Sequence, residues 1–261
     1  MIIELIKEFF LDLRAHRTRA MLTLIAITWG TISVVLLLSF GEGLGTQMLN
    51  GLLNAGDRIM VIYGGETGIS YEGLPKGRRI RLVEEDVDLL KRGVLGVDMI
   101  SPQYRRNVTL TYGKFSTTTE CEVGNSGFEE MRRMYPAEGG RFLNDVDLDQ
   151  QRRIMFLGVE IAKDIFKDES PVGKTLLVDK VPFIVVGIMQ KKIQTSSNNG
   201  PDARRAIMPY TTFRTTYGDK YVNSIVARPV DPSRQVEFKE EIYQVLGRKY
   251  RFEPKDERAV R

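Results

Sequence analysis

The sequence contains only one cysteine, Cys121, and only one histidine, His16, in 261 residues. A single cysteine excludes an intramolecular disulfide, which leaves both a cytoplasmic protein and an exported domain open. One cysteine and one histidine cannot assemble a zinc site of the usual kind. A Ser-His-Asp triad has only one candidate histidine, and no pair of carboxylates stands out by its spacing. We therefore predict a protein without catalytic residues, cofactor or metal, and a membrane-anchored hydrolase is the weakest function class.

An excess of charge of one sign is also missing. The 38 lysines and arginines are interspersed with 34 aspartates and glutamates, which leaves a net charge of +4. A nucleic-acid-binding protein would cluster its basic residues, so we predict no nucleic-acid partner. Hydrophobic residues make up 42% of the chain, which is enough for a packed core.

The stretch SPVGKTLLV, residues 170–178, contains the Gly-Lys-Thr that closes many phosphate-binding loops. A true loop has the pattern G-x-x-x-x-G-K-[ST] between a strand and a helix. Asp168 stands where the first glycine belongs, and its carboxylate would repel phosphate. The patterns around this stretch give the reverse order of helix, turn and strand. We predict that Lys174 binds no nucleotide and that the stretch is a connecting turn.

Two other motif-like stretches also depart from their patterns. Residues 41–45 (GEGLG) resemble a dinucleotide fingerprint, but Thr46 stands where the next glycine belongs and no strand precedes them. Residues 145–149 (DVDLD) resemble the start of a calcium loop, but Gln150 and Phe156 occupy the places of its glycine and glutamate. We predict a flexible or closely packed segment for the first stretch, and a solvated loop or helix start for the second.

The chain also contains one long uncharged run, residues 21–40 (MLTLIAITWGTISVVLLLSF). About 20 apolar residues form a helix that crosses a hydrocarbon core of roughly 30 Å. A buried core helix and a cleaved signal peptide are the alternatives. A signal peptide has a shorter apolar region and a small-x-small site, and the following GEGLGTQ offers no such site. We predict an uncleaved transmembrane helix over residues 21–43.

Basic residues flank this run on its N-terminal side, where Lys7, Arg14, Arg17 and Arg19 precede it, and the next basic residue is Arg58. The positive-inside rule then predicts a cytoplasmic N-terminus and an extracytoplasmic location for residues 44–261.

Two helix surfaces are candidates for contacts at the membrane. Residues 1–20 are predicted to form a cytoplasmic-side amphipathic helix and basic flank, because apolar residues of 2–13 share one helical face. Packing of that helix on a soluble partner is the alternative. Thr28, Gly30 and Thr31 give the transmembrane helix small positions that would let another helix approach closely, although a single span could simply tolerate them.

Residues 44–261 alternate between strand and helix patterns, with Cys121 as a packed thiol in a strand and Asp231 as the N-cap of the last helix. Strand–helix–strand patterns near both ends suggest two subdomains, roughly 55–120 with 222–261 as a βαβ-type unit and 121–221 as an inserted unit. The predicted strands are 58–63, 99–101, 154–157, 206–209, 222–228 and 250–252, with hairpins at 108–123 and 175–188. The predicted helices are 83–92, 128–134, 159–167, 211–217 and 231–247.

Residues 190–205 (QKKIQTSSNNGPDARR) are polar and rich in serine, asparagine and glycine, which is typical of a mobile loop. We expect its greatest mobility in residues 194–203. Loops of this kind often carry partner contacts. The candidate contact residues are Gln194, Thr195, Ser196, Ser197, Asn198 and Asn199.

In their order and spacing, several stretches resemble the MacB-type permeases of ABC transporters, within the FtsX-like superfamily. The most specific is SPVGKTLLVDKVPFIVVGIM, residues 170–189, in which a Pro-Val-Gly-Lys turn precedes a hairpin. The resemblance covers nearly the whole chain. The other stretches are LTLIAITWGTISVVLLLSFGEGLG, GRFLNDVDLD, IMFLGVEIAKDIF, IMPYTTF and DERAVR.

The resemblance implies an α+β fold in which one membrane helix precedes an extracytoplasmic domain of two subdomains. It implies a non-catalytic permease subunit in the bacterial inner membrane that serves export or mechanotransmission. The implied partners are a cytoplasmic ABC ATPase that hydrolyses the ATP, a second permease copy, the lipid membrane and a periplasmic adaptor protein.

The family continues toward further membrane helices where this chain stops, at Arg261. We therefore expect a fragment of a longer permease, or a truncated or split gene. The alternative is a stand-alone, membrane-anchored interaction or sensor module that reuses the same domain. The transported substrate cannot be inferred from the residues.

Overall fold

The computed structural model describes residues 16–53, 58–192 and 200–261, and for residues 49–53 it describes the backbone alone. The predicted amphipathic helix at 1–13 therefore lies outside the described residues. Two compact units are distinguished, Met1–Asn50 and Gly51–Arg261, and each is described by itself. The predicted division of the second unit into two subdomains stays a prediction.

The first unit contains most of one long helix, α1 (Arg17–Leu53). Within Arg17–Met48, an 18-residue window has a mean hydropathy of 2.2, and none of that window is buried. Length and composition thus suffice for a membrane span. The helix continues beyond residue 43, the predicted end of the span, because GEGLGTQMLNGLL contains no proline to stop it.

The second unit is α+β, as predicted. Its strands are β1 (Met60–Ile62), β2 (Val97–Tyr112), β3 (Phe115–Gly124), β4 (Ile154–Leu157), β5 (Thr175–Val178), β6 (Val181–Ile188), β7 (Ala206–Pro209) and β8 (Ser224–Pro229). Its helices are α2 (Glu85–Gly93), α3 (Phe128–Met131), α4 (Asp145–Asp149), α5 (Val159–Phe166), α6 (Tyr210–Tyr217) and α7 (Gln235–Tyr250).

The strand order is β1-β8-β2-β3-β7-β4-β6-β5, and β5 also pairs with β2. The strands from β2 to β5 in this order therefore close into a six-stranded barrel, while β1 and β8 extend the sheet beyond β2. The first half of β2 pairs with β8, and its second half pairs with β3 and β5. Because β2 serves both parts, the two separate strands predicted within it, 99–101 and 108–112, are one continuous strand.

Several short strands are buried on both faces. In β4, Met155 and Leu157 belong to the main core, and Ile154 and Phe156 belong to a second core on the opposite face. This arrangement explains why these strands are continuously apolar and do not alternate. The second core is completed by Phe128, Met131, Met134, Phe142, Leu143, Met189, Ile207 and Val226.

Three predictions for the C-terminal part of the second unit are wrong: the helix end at Gly247, the strand at 250–252 and Asp231 as the N-cap of the last helix. Helix α7 runs through Gly247 to Tyr250, and no strand forms at 250–252. A Cβ on Gly247 would lie 3.0 Å from the Phe252 carbonyl oxygen, so this glycine permits a close approach of the chain and does not end the helix. The helix ends at Tyr250, and the next residue, Arg251, has a left-handed φ of 53°. Asp231 caps a 3-10 turn that precedes α7, through a 2.9 Å bond from the Ser233 amide.

Candidate partner-contact site

The predicted contact residues Gln194, Thr195, Ser196, Ser197, Asn198 and Asn199 lie outside the described residues, but both flanks of this segment are described. On the N-terminal side, β6 ends at Ile188, and the Gln190 amide donates a 2.8 Å bond to the Tyr135 carbonyl. On the C-terminal side, a 3-10 turn, Asp202–Arg204, leads into β7. Asp202 in this turn is fully buried, so the last part of the predicted mobile stretch is built into the fold.

The side chains at the two flanks meet. The ammonium of Lys192 lies 2.7 Å from a carboxylate oxygen of Asp202 and donates a 2.7 Å bond to the Arg132 carbonyl. A guanidinium nitrogen of Arg205 donates a 3.0 Å bond to the Gly200 carbonyl. We call Lys192, Gly200, Asp202 and Arg205 the loop base.

The loop base rests on a buried carboxylate. Glu122 of β3 is fully buried and accepts a 2.6 Å bond from Arg205 and a 3.3 Å bond from Arg132. Arg132 also donates a 2.8 Å bond to Asp202, so one guanidinium joins the two acids. Gln103 of β2 donates to Glu122 as well. Buried charges of this kind are tolerated only when they are paired and hydrogen-bonded, as they are here.

Electrostatics keep this network charged. Burial alone would raise the pKa of Glu122, but the guanidinium groups of Arg132 and Arg205 outweigh it and hold the pKa below its usual range. Burial lowers the pKa of Lys192, and the nearby Asp202 opposes that shift. The pKa of Arg205 stays above its usual value because Glu122 and Asp202 outweigh its burial.

Sequence reasoning missed this network. In β3, alternation places Cys121 and Val123 in the main core and turns Glu122 to the other face, where a charged residue normally meets solvent. That face is covered, because β7 pairs beside β3 and Arg132 follows the short helix α3. No local signal marks Glu122, since its partners lie far away in sequence.

The predicted packing positions of α1 are exposed in the first unit. A Cβ on Gly30 would meet no atom within 4 Å. The Thr31 hydroxyl bonds to the Ile27 carbonyl at 2.8 Å, which satisfies it within the helix. Thr28 is likewise exposed. No described residue of the first unit thus covers the face of α1 that contains Thr28, Gly30 and Thr31.

The stretches that resemble a phosphate-binding loop and a calcium loop have structural roles. Lys174 follows Gly173, whose φ is 83°, and pairs with Glu169 in a turn from α5 to β5, which is the predicted order of helix, turn and strand. Asp147 is buried, forms an ion pair with Arg141 and belongs to the capping box of the short helix α4. The described residues contain no cluster suited to a metal ion.

Cys121 is a free, fully buried thiol, as predicted. Burial raises its pKa, which keeps the thiol protonated and unreactive.

Curated relatives resemble almost the whole chain. The macrolide export ATP-binding/permease protein MacB of Bdellovibrio bacteriovorus is 24% identical over 250 residues, which are 95% of this chain and 38% of that protein. The protein of the same name from Wolinella succinogenes is 28% identical over 251 residues, which are 93% of this chain and 37% of that protein. The chain thus spans less than two fifths of the length of these relatives.

Solved structures share the fold of the second unit. The extracellular domain of the noncanonic ABC-type transporter YknZ from Gram-positive bacteria superposes with a TM-score of 0.64 at 18% identity, covering 78% of this chain and 98% of that one. The periplasmic region of MacB from Actinobacillus actinomycetemcomitans gives a TM-score of 0.63 at 20% identity, covering 80% of this chain and 89% of that one.

The family model of the MacB-like periplasmic core domain matches residues 20–245. This match includes most of α1, most of the main core, the whole second core and the loop base. The chain therefore belongs to the family of MacB-like periplasmic core domains.

Proposed function

We propose that this chain is the N-terminal portion of an ABC transporter permease subunit. Its extracytoplasmic domain takes part in export or mechanotransmission, driven by ATP hydrolysis on a separate cytoplasmic ATPase. The observation that carries the proposal is the combination of an unburied apolar helix, Arg17–Met48, with a MacB-like core domain that follows it in the same chain.

The geometry of the second unit supports a mechanical role. The backbones of Tyr63 and Arg261 exchange hydrogen bonds of 2.7 and 3.0 Å, so residues 258–261 run antiparallel beside the continuation of β1. Ile62 and Val260 are both buried in the main core. Because close-packed interiors transmit strain, a displacement that arrives at β1 moves the sheet with it. Such a domain responds to ATP through different contacts in two states.

The proposed partners follow from this role. They are a cytoplasmic ABC ATPase, a second permease copy, the lipid membrane and a periplasmic adaptor protein. Residues 194–199 are the proposed contact loop, since the loop base holds both flanks on a rigid scaffold. Thr28, Gly30 and Thr31 are the proposed contact positions of α1 with another membrane helix.

The proposed location is the bacterial inner membrane, with a cytoplasmic N-terminus. Arg14, Arg17 and Arg19 support this orientation, because they precede the apolar run and the next basic residue after the run is Arg58. Basic residues close to a membrane span favour its cytoplasmic side. A phosphatase reporter that is active only outside the cytoplasm, fused after Arg261, should be active. Activity of a cytoplasm-only reporter at the same position would contradict the orientation.

Co-purification tests the proposed function. The chain is tagged at its own chromosomal locus, extracted from native membranes with a mild detergent and analysed by mass spectrometry. We expect an ABC-type ATPase to co-purify in a stoichiometric amount. Recovery without any ATPase, at detergent conditions that keep other ABC transporters intact, would contradict the proposal and favour a stand-alone interaction or sensor module.

A further inference from the structure

A basic surface lies on the second unit, and none of the loop-base residues lines it. It is formed by Arg79, Arg81, Lys220 and Tyr221, all of which are exposed, and we call it the basic cleft. The extended segment that contains Arg79 and Arg81 alternates, because Ile80 is buried between them in the main core. Residues two apart on an extended chain point to the same side, so the two guanidinium groups share one face.

Two cations lie over the Tyr221 ring. The guanidinium carbon of Arg81 lies 5.0 Å from the centre of the Tyr221 ring, and the ammonium of Lys220 lies 5.9 Å from it. Tyr221 is held in place by a backbone bridge to Val83. Beside the ring lies a cleft of about 300 Å³. Arg79, Arg81 and Tyr221 line this cleft together with Gly64, Ile80, Leu82, Val222 and Asn223.

Among the described residues, no carboxylate compensates the charge of these cations. Within the described part of the chain, no acid lies at ion-pair distance from Arg79, Arg81 or Lys220, whereas other arginines of this unit are paired, for example Arg214 with Glu84 at 2.5 Å. Two acidic residues have backbones next to those of these cations, but their side chains do not pair with them. Glu66 stands opposite Arg79 in a β-bridge without forming an ion pair with it. Asp219 pairs with Arg106 at 3.5 Å.

We propose that the basic cleft binds an acidic, extended segment of a partner polypeptide. Guanidinium groups present a planar fork that matches carboxylates in two-bonded geometry, and two of them on one side of an extended segment suit carboxylates spaced along another extended chain. The Tyr221 ring and the cleft floor offer apolar area beside the charges. Exposed ion pairs are individually weak, so the contact is a steering and orienting one that depends on salt.

The test measures binding of a fluorescein-labelled polyglutamate peptide by fluorescence anisotropy, with the full chain in uncharged detergent at low salt. A polyglutamine peptide of the same length is the neutral reference. We expect saturable binding of polyglutamate only. The double variant Arg79→Gln/Arg81→Gln should weaken it about tenfold, since each exposed pair contributes a factor of roughly 1.5 to 5 and the two act together.

Two further double variants distinguish binding at the basic cleft from an effect of the net charge of the chain on the affinity for polyglutamate. Lys114→Gln/Lys163→Gln removes the same charge from exposed residues that do not line the cleft, and it should change the affinity less than twofold. Arg79→Lys/Arg81→Lys guards against a folding defect. It keeps the charge but loses the two-bonded guanidinium geometry, so it should bind polyglutamate more weakly than the wild type and more tightly than the Arg79→Gln/Arg81→Gln variant. Equal losses in both glutamine variants, absence of polyglutamate binding, or binding of anionic vesicles in place of the peptide would overturn the proposal.

Discussion

Lys192 and Asp202 form an ion pair of 2.7 Å that joins the two flanks of residues 193–199. The carboxylate of Asp202 is fully buried, and Arg132 binds it from the other side. The loop base therefore fixes where the segment leaves and rejoins the domain, whatever the segment contacts. A partner that binds the segment would meet it on a scaffold tied to β3 and β7.

The first prediction concerns this ion pair. Lys192→Ala removes one of the three cations within ion-pair distance of Asp202, and we expect it to lower the free energy of unfolding by about 1–3 kcal/mol, the cost of leaving a buried acceptor without its partner. Hydrogen exchange of the amides of 200–205 should become faster than in the wild type. Lys191→Ala is the matched control, because its side chain is exposed. Unchanged stability in Lys192→Ala would show that the pair does not hold the loop base.

The second prediction concerns pH. The pKa of Glu122 is lower in the folded chain than its unfolded value of about 4.3, so the unfolded chain binds more protons as the pH falls through this window. The stabilisation by Glu122 is fully present above about pH 4.3 and is lost as the pH falls toward its folded pKa.

Urea unfolding at pH 7 and pH 3 measures this effect. Glu122→Gln should be destabilised by about 3–5 kcal/mol at pH 7, because the buried guanidinium groups of Arg132 and Arg205 each lose one of their carboxylate partners. It should also lose less stability than the wild type between the two pH values. Glu240→Gln, at an exposed position, should behave like the wild type at both. A wild-type and a Glu122→Gln pH profile that run parallel would contradict the assignment.

Sequence patterns predicted β4 and α5 to within one residue, because a continuous apolar run and a one-sided helical face are local signals. The turn at Gly113 and the hairpin around Asp179 were also predicted, since turn residues act locally. The barrel closure between β2 and β5, the end of α7 and the buried role of Glu122 were not predicted. Each of these depends on which distant segment covers a surface, and no local pattern carries that information.

The third prediction concerns nucleotide binding. Lys174 is paired with Glu169, and the strand β5 follows it where a phosphate-binding loop requires a helix. Calorimetry on the full chain should show no saturable ATP binding. Micromolar binding that disappears in Lys174→Ala would contradict this reading.

The fourth prediction concerns α1. Gly30→Leu adds bulk where nothing in the first unit besides the nearby backbone of α1 lies within 4 Å, so we expect its effect on association to report on another helix. A membrane self-association assay of the helix should show weaker association for this variant, because small residues permit close helix packing. Val35→Phe adds bulk about 140° away around the helix and is the control. Equal association of the wild type and Gly30→Leu would remove this face as a contact.

The central claim is that ATP hydrolysed on another subunit moves this domain, and an electron-spin distance measurement between two copies tests it most directly. In a Cys121→Ala background, a spin label is attached at Lys163→Cys, on the exposed side of α5. The tagged complex from native membranes is measured without nucleotide and with ATP and vanadate. The account predicts a shift in the distance distribution between the two labels when the nucleotide is trapped. An identical distribution in both states, in a complex that hydrolyses ATP, would contradict it.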